Sequence, residues 1–226
     1  MAAGTGTLPA ESVRAMFDRI AGVYDLMNTV MTAGLHHQWR TRAVDLARVG
    51  PGTRALDVAT GTGDLAIELA SRGGDVVGSD FSEGMLERAR VKAPGLTWEQ
   101  ADALALPYPD DAFDAATVGF GARNFSDLSR GLSEMVRVVK PGGRVVILEI
   151  TTPQKPPLST FFSLWFDRLV PLLGRFDEAY TYLPSSVKRF PGPEPLAAEL
   201  AAAGCSEVGW ILTAGGIIAL HHGTVA

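Results

Sequence analysis

Between residues 54 and 150 short apolar runs alternate with helix-patterned runs, and glycines mark the first turn. RALDVA (54–59) reads as a strand and LAIELASR (65–72) as a helix. DVVGSD (75–80) is a second strand, and SEGMLERARVKA (82–93) a helix with Ser82 as its N-cap. LTWEQAD (96–102), FDAATVGF (113–120) and RVVILEI (144–150) supply three more strands. A helix capped by Ser126 is expected to run to Lys140 and to stop at Pro141-Gly142-Gly143. Strands that alternate with helices require βαβ units, a parallel sheet and right-handed crossovers.

The flanks complete the pattern. Residues 11–49 read as helical: Val13, Met16, Phe17 and Ile20 share one face, and a second helix over about 36–48 carries Trp39, Ala43, Leu46 and Ala47. After the Pro-rich connector TTPQKPP comes an apolar helix around 158–173, then YLPSSVKRFP, then a helix over 194–203. SEVGWIL (206–212) and GIIALHH (216–222) are strand-like, and the short link Thr213 to Gly215 predicts an antiparallel hairpin.

Composition narrows the partners. A net charge of −5 argues against electrostatic capture of nucleic acid. The single cysteine, Cys205, excludes an intrachain disulfide and a cysteine metal cluster, and reads as a buried small hydrophobe. MAAGTGTLPAES has neither the basic start nor the apolar run of a secretory signal. No stretch of about 20 apolar residues occurs, because Asp167 and Arg168 interrupt the nearest candidate. A cytoplasmic protein is expected. LSTFFSLWFDRLVPLLGRF (158–176) is a core-packed cap or a greasy lid that touches the inner face of a membrane.

In LDVATGTGDLA, Gly61, Thr62 and Gly63 fall between the first strand and its helix, where glycine lets backbone turn tightly and approach a ligand. Asp57, near the strand end, can reach a ligand amine or hold the loop. Asp80 ends the second strand about 20 residues after the glycines, placed to accept ribose hydroxyls. Gly61, Gly63 and Ala66 also satisfy G-x-G-x-x-A, so a nicotinamide-binding turn fits this much. Three further features resemble class I methyltransferases: Asp102-Ala103 ahead of LPYPDDAFD, the helix–turn–strand RVVKPGGRVVILE, and the closing reversed hairpin. That resemblance implies S-adenosyl-L-methionine as cofactor, with Asp102 and Ala103 near its adenine. Its methyl is already activated by a sulfonium, so no metal is needed, and no HExxH or clustered ligand set is present.

YDLMNTVMTAGLHHQW (24–39) resembles the N-terminal signature of the ubiquinone/menaquinone biosynthesis C-methyltransferases, with Tyr24, Asp25, Met27, Asn28, His36 and Trp39 all matching and Thr32 in place of serine. RVVKPGGRVVILE resembles the second signature of that family, although Ile150 and Thr151 stand where it has phenylalanine and serine. GFGARN (119–124), YTYLPSSVKRFP (180–191) and GGIIALHHG (215–223) resemble further family blocks. Thr60 replaces the common glycine, and Gly119 a common serine whose hydroxyl could contact the cofactor. The resemblance implies an α/β, Rossmann-like fold: a mostly parallel seven-stranded sheet with a C-terminal antiparallel hairpin. One domain over 1–226 follows, with an N-terminal helical lid (1–50), a cofactor-binding core (51–150), a helical cap (151–192) and a C-terminal helix and hairpin (193–226).

The implied reaction is carbon methylation of a prenylated quinol, with a naphthoquinol ahead of a benzoquinol. A quinol ring is electron-rich, and loss of a phenolic proton makes the adjacent carbon nucleophilic, so a modest acceptor helps. Candidates are His36, His37, Tyr24, Asp25, Arg123, Asn124, Tyr180 and Tyr182, with His36 foremost as proton acceptor. A structural hydrogen bond pinning the N-terminal helices is the competing reading of His36. Arg123 and Asn124 follow the fourth strand, where they stabilise a quinolate oxygen or, for Arg123, pair with a neighbouring acid. Of His221 and His222, alternation turns one inward and one outward. Three other readings compete: a methyltransferase on another small apolar acceptor, a non-catalytic cofactor-binding protein, and a nicotinamide dehydrogenase.

Overall fold

The computed structural model describes residues 10–21, 35–153 and 179–226. Seven strands form one sheet, in the order β3-β2-β1-β4-β5-β7-β6. They are β1 (Arg54–Val58), β2 (Asp75–Asp80), β3 (Thr97–Gln100), β4 (Phe113–Gly119), β5 (Val139–Ile150), β6 (Cys205–Thr213) and β7 (Ile218–Val225). The first five are parallel, whereas β7 runs antiparallel to both β5 and β6. The expected seven-stranded sheet with its reversed C-terminal hairpin is therefore present. Strand order reverses between β1 and β4, and in such sheets ligands sit beyond the carboxyl ends at that switch point.

Among the described residues the α-helices are α1 (Ala10–Ile20), α2 (His36–Ala47), α3 (Asp64–Ser71), α4 (Glu83–Lys92), α5 (Leu128–Arg137), α6 (Ala179–Arg189) and α7 (Pro193–Ala202). The two faces of the sheet bury different helices, as the period-two pattern of its strands requires. Ala55, Ala115 and Val146 face Val44 of α2, Leu69 of α3 and Leu86 of α4. Leu56, Ala116 and Val145 face Met135 of α5 and Leu200 of α7. Cys205 is buried in this second layer. α1 packs on α4, where the Asp18 carboxylate accepts from Ser82 Oγ at 2.5 Å and from Gly84 N–H at 3.2 Å.

One expectation is corrected. The helix after β4 is capped by Asp127, whose carboxylate accepts from Arg130 N–H at 2.9 Å, and it ends at Arg137. Val139 already pairs with Phe113, so Pro141-Gly142-Gly143 forms a bulge within β5 rather than a helix stop. A side chain at Gly143 would meet Asp114 O at 2.6 Å, which explains glycine there. YLPSSVKR (182–189) lies in α6, with Pro184 inside the helix. The apolar segment 158–176 lies outside the described residues. Among the described residues no helix is long and apolar enough to cross a membrane.

Trp98 of β3 roofs the first βα turn. A Cβ at Gly63 would lie 2.4 Å from the indole, and Gly63 has φ +87°. Overpacking and left-handed strain therefore act together on any side chain placed there. Gly63→Ala is expected to lower unfolding free energy by about 2–4 kcal/mol, read from denaturant melts; an unchanged midpoint would contradict this packing.

Candidate active site

A cleft of about 1090 Å³, counted out to its open mouth, lies over the carboxyl ends of β1, β2 and β4. Its walls come from the loops that follow these strands, from Met85 of α4, from Phe17 of α1 and from Arg40 of α2.

Two buried carboxylates organise it. Asp57 and Thr117 are register partners on adjacent strands, and Thr117 Oγ1 donates to Asp57 at 2.6 Å. Thr60 Oγ1 donates to the other oxygen of Asp57 at 2.5 Å. Asp80 accepts from Gly61 N–H at 2.8 Å and from Ser82 N–H at 2.9 Å, so it ties the glycine loop to the start of α4. Burial raises both acids to about 6, against the lowering by their hydrogen bonds. Asp57 thus holds the loop, and Thr60, a departure from the expected glycine, supplies one of its two hydroxyl partners.

On the facing wall Asp102 and Ala103 line the cleft, with Asp102 Oδ1 accepting from Leu104 N–H at 2.9 Å. The segment beyond is clamped by α5: Glu134 accepts from Leu106 N–H at 2.9 Å and Arg137 donates to the carbonyls of Leu106 and Tyr108. Gly119 lines the cleft too, where a Cβ would press to 3.1 Å on Leu65 Cδ2.

The sequence pattern of the ubiE/COQ5 methyltransferase family matches residues 6–225. The chain belongs to that family. It is 48% identical over 218 residues to the demethylmenaquinone methyltransferase of Thermus thermophilus, covering 92% of this chain and 99% of the relative. It is 42% identical to that of Corynebacterium kroppenstedtii, over 99% of both chains. A ubiquinone/menaquinone biosynthesis C-methyltransferase of Geobacter sulfurreducens is 45% identical, over 88% of this chain and 82% of its own. Solved structures share the fold at lower identity. A SAM-dependent methyltransferase from Thermotoga maritima has TM-score 0.68 at 20% identity, covering 94% of this chain and 99% of its own. The cyclase SpnF has TM-score 0.71 at 24% identity, covering 95% of this chain and 80% of its own.

Within this family fold, the structure gathers Asp57, Gly61, Thr62, Asp80, Asp102, Ala103, Gly119 and Asn124 around one cleft. Thr62 is buried and accepts from Lys92 Nζ at 2.9 Å. Gly63 does not line the cleft; its role is the close approach to Trp98. Asn124 Oδ1 accepts from the Tyr182 hydroxyl at 3.1 Å, so α6 meets the end of β4 at the cleft. Arg123 turns away from the cleft: Nη1 donates to Glu149 at 2.6 Å and to Phe120 O at 2.5 Å, which is the ion pair weighed against a ligand role. His36 is buried with its ring 4.1 Å from that of His37 and does not line the cleft. Tyr24, Asp25 and the side chain of Tyr180 lie outside the described residues. His221 is buried against Pro193 O and half-buried His222 meets Arg144, both remote from the cleft.

Sequence reasoning missed Phe17, Arg40, Asp64, Phe81, Met85 and Phe120. Arg40 carried a usable signal, since it stands beside the family-matched Trp39 and one helical turn after His36. Among the described residues no cluster of three or more His, Cys, Asp or Glu could hold a metal ion.

The raised acids have a consequence for stability. Asp57 has an ordinary value of 3.8 and a folded one of about 6, so the native state binds its proton more tightly than the unfolded state. That contribution is present below about pH 4 and is lost as pH rises through 6. Wild type should therefore gain on Asp57→Asn as pH falls from 7.5 to 5, by roughly 1.4 kcal/mol. Paired denaturant melts at the two pH values measure this, and a pH-independent difference would contradict it.

Proposed function

We propose that this protein methylates a ring carbon of a prenylated quinol, converting demethylmenaquinol to menaquinol with S-adenosyl-L-methionine. The observation that carries the proposal is a family match over nearly the whole chain laid on a cleft that suits this cofactor. The fit is visible in the groups themselves. Asp80 is a buried carboxylate at the end of β2 whose two oxygens are fixed by backbone N–H groups, as an acceptor of ribose hydroxyls must be. Phe81, Met85, Leu104 and Ala103 give an apolar slot for a purine, with Asp102 at its edge. Gly61 keeps backbone close to the ligand at φ +57°.

When bound, S-adenosyl-L-methionine supplies a methyl group activated by its sulfonium. The protein's own task is then to hold an acceptor carbon in line and keep water out, and positioning of this kind accounts for roughly 7–11 kcal/mol of such a barrier. Asn124 is the neutral polar side chain on the acceptor wall. Its carbonyl oxygen takes the Tyr182 hydroxyl, which leaves its amide to donate to a quinol oxygen as negative charge develops. Phe120 and Phe125 give that wall an apolar surface for the ring. His36, buried and outside the cleft lining, keeps the N-terminal helix in place in this reading rather than taking the proton. Because a prenyl-tailed quinol resides in lipid, the protein works at a membrane surface, with the apolar segment 158–176 as the contact.

Labelled S-adenosyl-L-methionine and chemically reduced demethylmenaquinone should place label on the naphthoquinol ring, with a reduced benzoquinol analogue run in parallel. Label on the benzoquinol alone moves the acceptor to the ubiquinone branch, and label on neither, with cofactor bound, overturns the acceptor. Asp80→Asn should weaken cofactor binding about 10- to 100-fold by loss of charged hydrogen bonds. Asn124→Leu should lower kcat about 100-fold while calorimetric cofactor affinity stays within about twofold.

A further inference from the structure

The two edges of the sheet are built differently. β3 closes one edge with four residues, TWEQ, three of them polar. β6 closes the other with nine, and among the described residues no strand pairs with its outer side. Its regular part runs from Gly209 to Thr213, because a bulge breaks the register with β7 between Ser206 and Gly209. This run, GWILT, has neither lysine nor proline, the residues that commonly blunt an edge. Trp210, Ile211 and Leu212 are 42%, 42% and 49% exposed. Alternation sorts these side chains. Gly209, Ile211 and Thr213 point to the face that α2 covers, where Arg42 Nη1 donates to Thr213 Oγ1 at 3.4 Å. Trp210 and Leu212 point to the α7 face, where the indole stacks on the buried His221 ring at 6.2 Å. The exposed indole is therefore steadied before any partner arrives.

Charge points to what covers this edge. Arg42 stands at one end of the run, and Glu207, in the bulge at the other end, accepts from Thr224 Oγ1 at 3.0 Å. Neither makes a salt bridge among the described residues. Thr224 lies on the same face as His222 and so on the face of α2, which puts Arg42 and Glu207 on one side of the sheet. A strand with a cation at one end and an anion at the other complements itself when turned end for end. We propose that β6 pairs antiparallel with β6 of a second copy of this chain, about a two-fold axis at Ile211. The two seven-stranded sheets then become one continuous sheet. Ile211 meets Ile211 of the second copy, and Trp210 meets its Leu212. Thr213 stands opposite Gly209, whose missing side chain leaves room for the Arg42 fork to reach Glu207 across the seam. A centre at Trp210 would bring the bulge into the ladder, whereas Ile211 is the middle of the regular run. Such a contact is isologous and closes at two copies. No residue of β6 lines the cleft, so the seam leaves it open.

Equilibrium sedimentation of the full chain should show a monomer–dimer equilibrium. Ile211→Lys sets two ammonium groups against each other at the axis and should raise the dimer dissociation constant by about 100-fold or more. Arg42→Gln and Glu207→Gln should each raise it by about three- to tenfold, and the double variant no further than either single change, because one contact is lost in all three. Ile211→Cys should form a disulfide between copies under mild oxidation, since directly opposed Cα atoms of an antiparallel pair lie about 4.5–5.5 Å apart. Val91→Cys, at an 82% exposed position on α4, should not. The single native cysteine, Cys205, is buried, so the introduced thiol is the one that reacts. Melting curves confirm that each variant is folded. A wild type that stays monomeric overturns the proposal. So does a dimer that folded Ile211→Lys leaves intact, or one that crosslinks no better at 211 than at 91. Additive losses at Arg42 and Glu207 overturn the charge pairing across the seam and the proposal with it.

Discussion

The bond from Gly61 N–H to the Asp80 carboxylate is the constraint on which the rest of the site depends. It joins the turn after β1 to the end of β2, and the second oxygen of the same carboxylate fixes Ser82 at the start of α4. Parallel pairing carries the two strand ends to the same level, since Val58 is the register partner of Ser79. From that junction outward, every wall is positioned by something it touches. Trp98 closes over Gly63, Asp18 docks α1 on Ser82, and Asp57 ties the loop to β4 through Thr117. The cleft is therefore a consequence of sheet register and not a hollow between loosely held loops.

Legibility in the sequence followed the range of the interactions involved. The strands from 54 to 150 were readable because period-two burial and glycine turns are local signals, and Asp57, Gly61, Thr62 and Asp80 could be placed by their distance from strand ends, whereas Asp102, Ala103 and Gly119 came only through the family resemblance. Ser82 was readable as a cap because its partner, Met85 N–H, is three residues away. Arg123 was undecidable locally: its fate rests on Glu149, which lies 26 residues on and one strand over. Pro141-Gly142-Gly143 misled because a proline–glycine run stops a helix or bulges a strand equally well, and only the pairing of Val139 with Phe113 distinguishes the two. Arg40 went unread because its partner, Asp64, belongs to a different helix and its orientation is a matter of tertiary packing.

Fold likeness and family membership also do different work. SpnF shares this fold at a TM-score of 0.71, yet it is a cyclase, so the architecture leaves the chemistry open. What narrows it here is the set of blocks outside the common core. The family match runs from residue 6 to 225 and so includes the N-terminal helices and α6 as well as the strands. These peripheral elements carry Phe17, Arg40 and Tyr182 to the cleft or to its rim. The core contributes the glycine turn, its acids and the residues that follow β4, and the peripheral elements add Phe17, Arg40 and Tyr182.

The electrostatics of the cleft suggest why it needs both contributions. Asp57 and Asp80 are held in surroundings that disfavour their charged forms, each raised to about 6, so the ligand-free site stores the cost of two desolvated carboxylates near neutral pH. Hydroxyl and backbone donors offset part of that cost, but dipoles do not replace a counter-charge. A cationic ligand does, and it binds the folded state alone, so its binding adds directly to stability by mass action. The same burial that weakens the empty protein thus sharpens its preference for a positively charged ligand over a neutral one of similar shape.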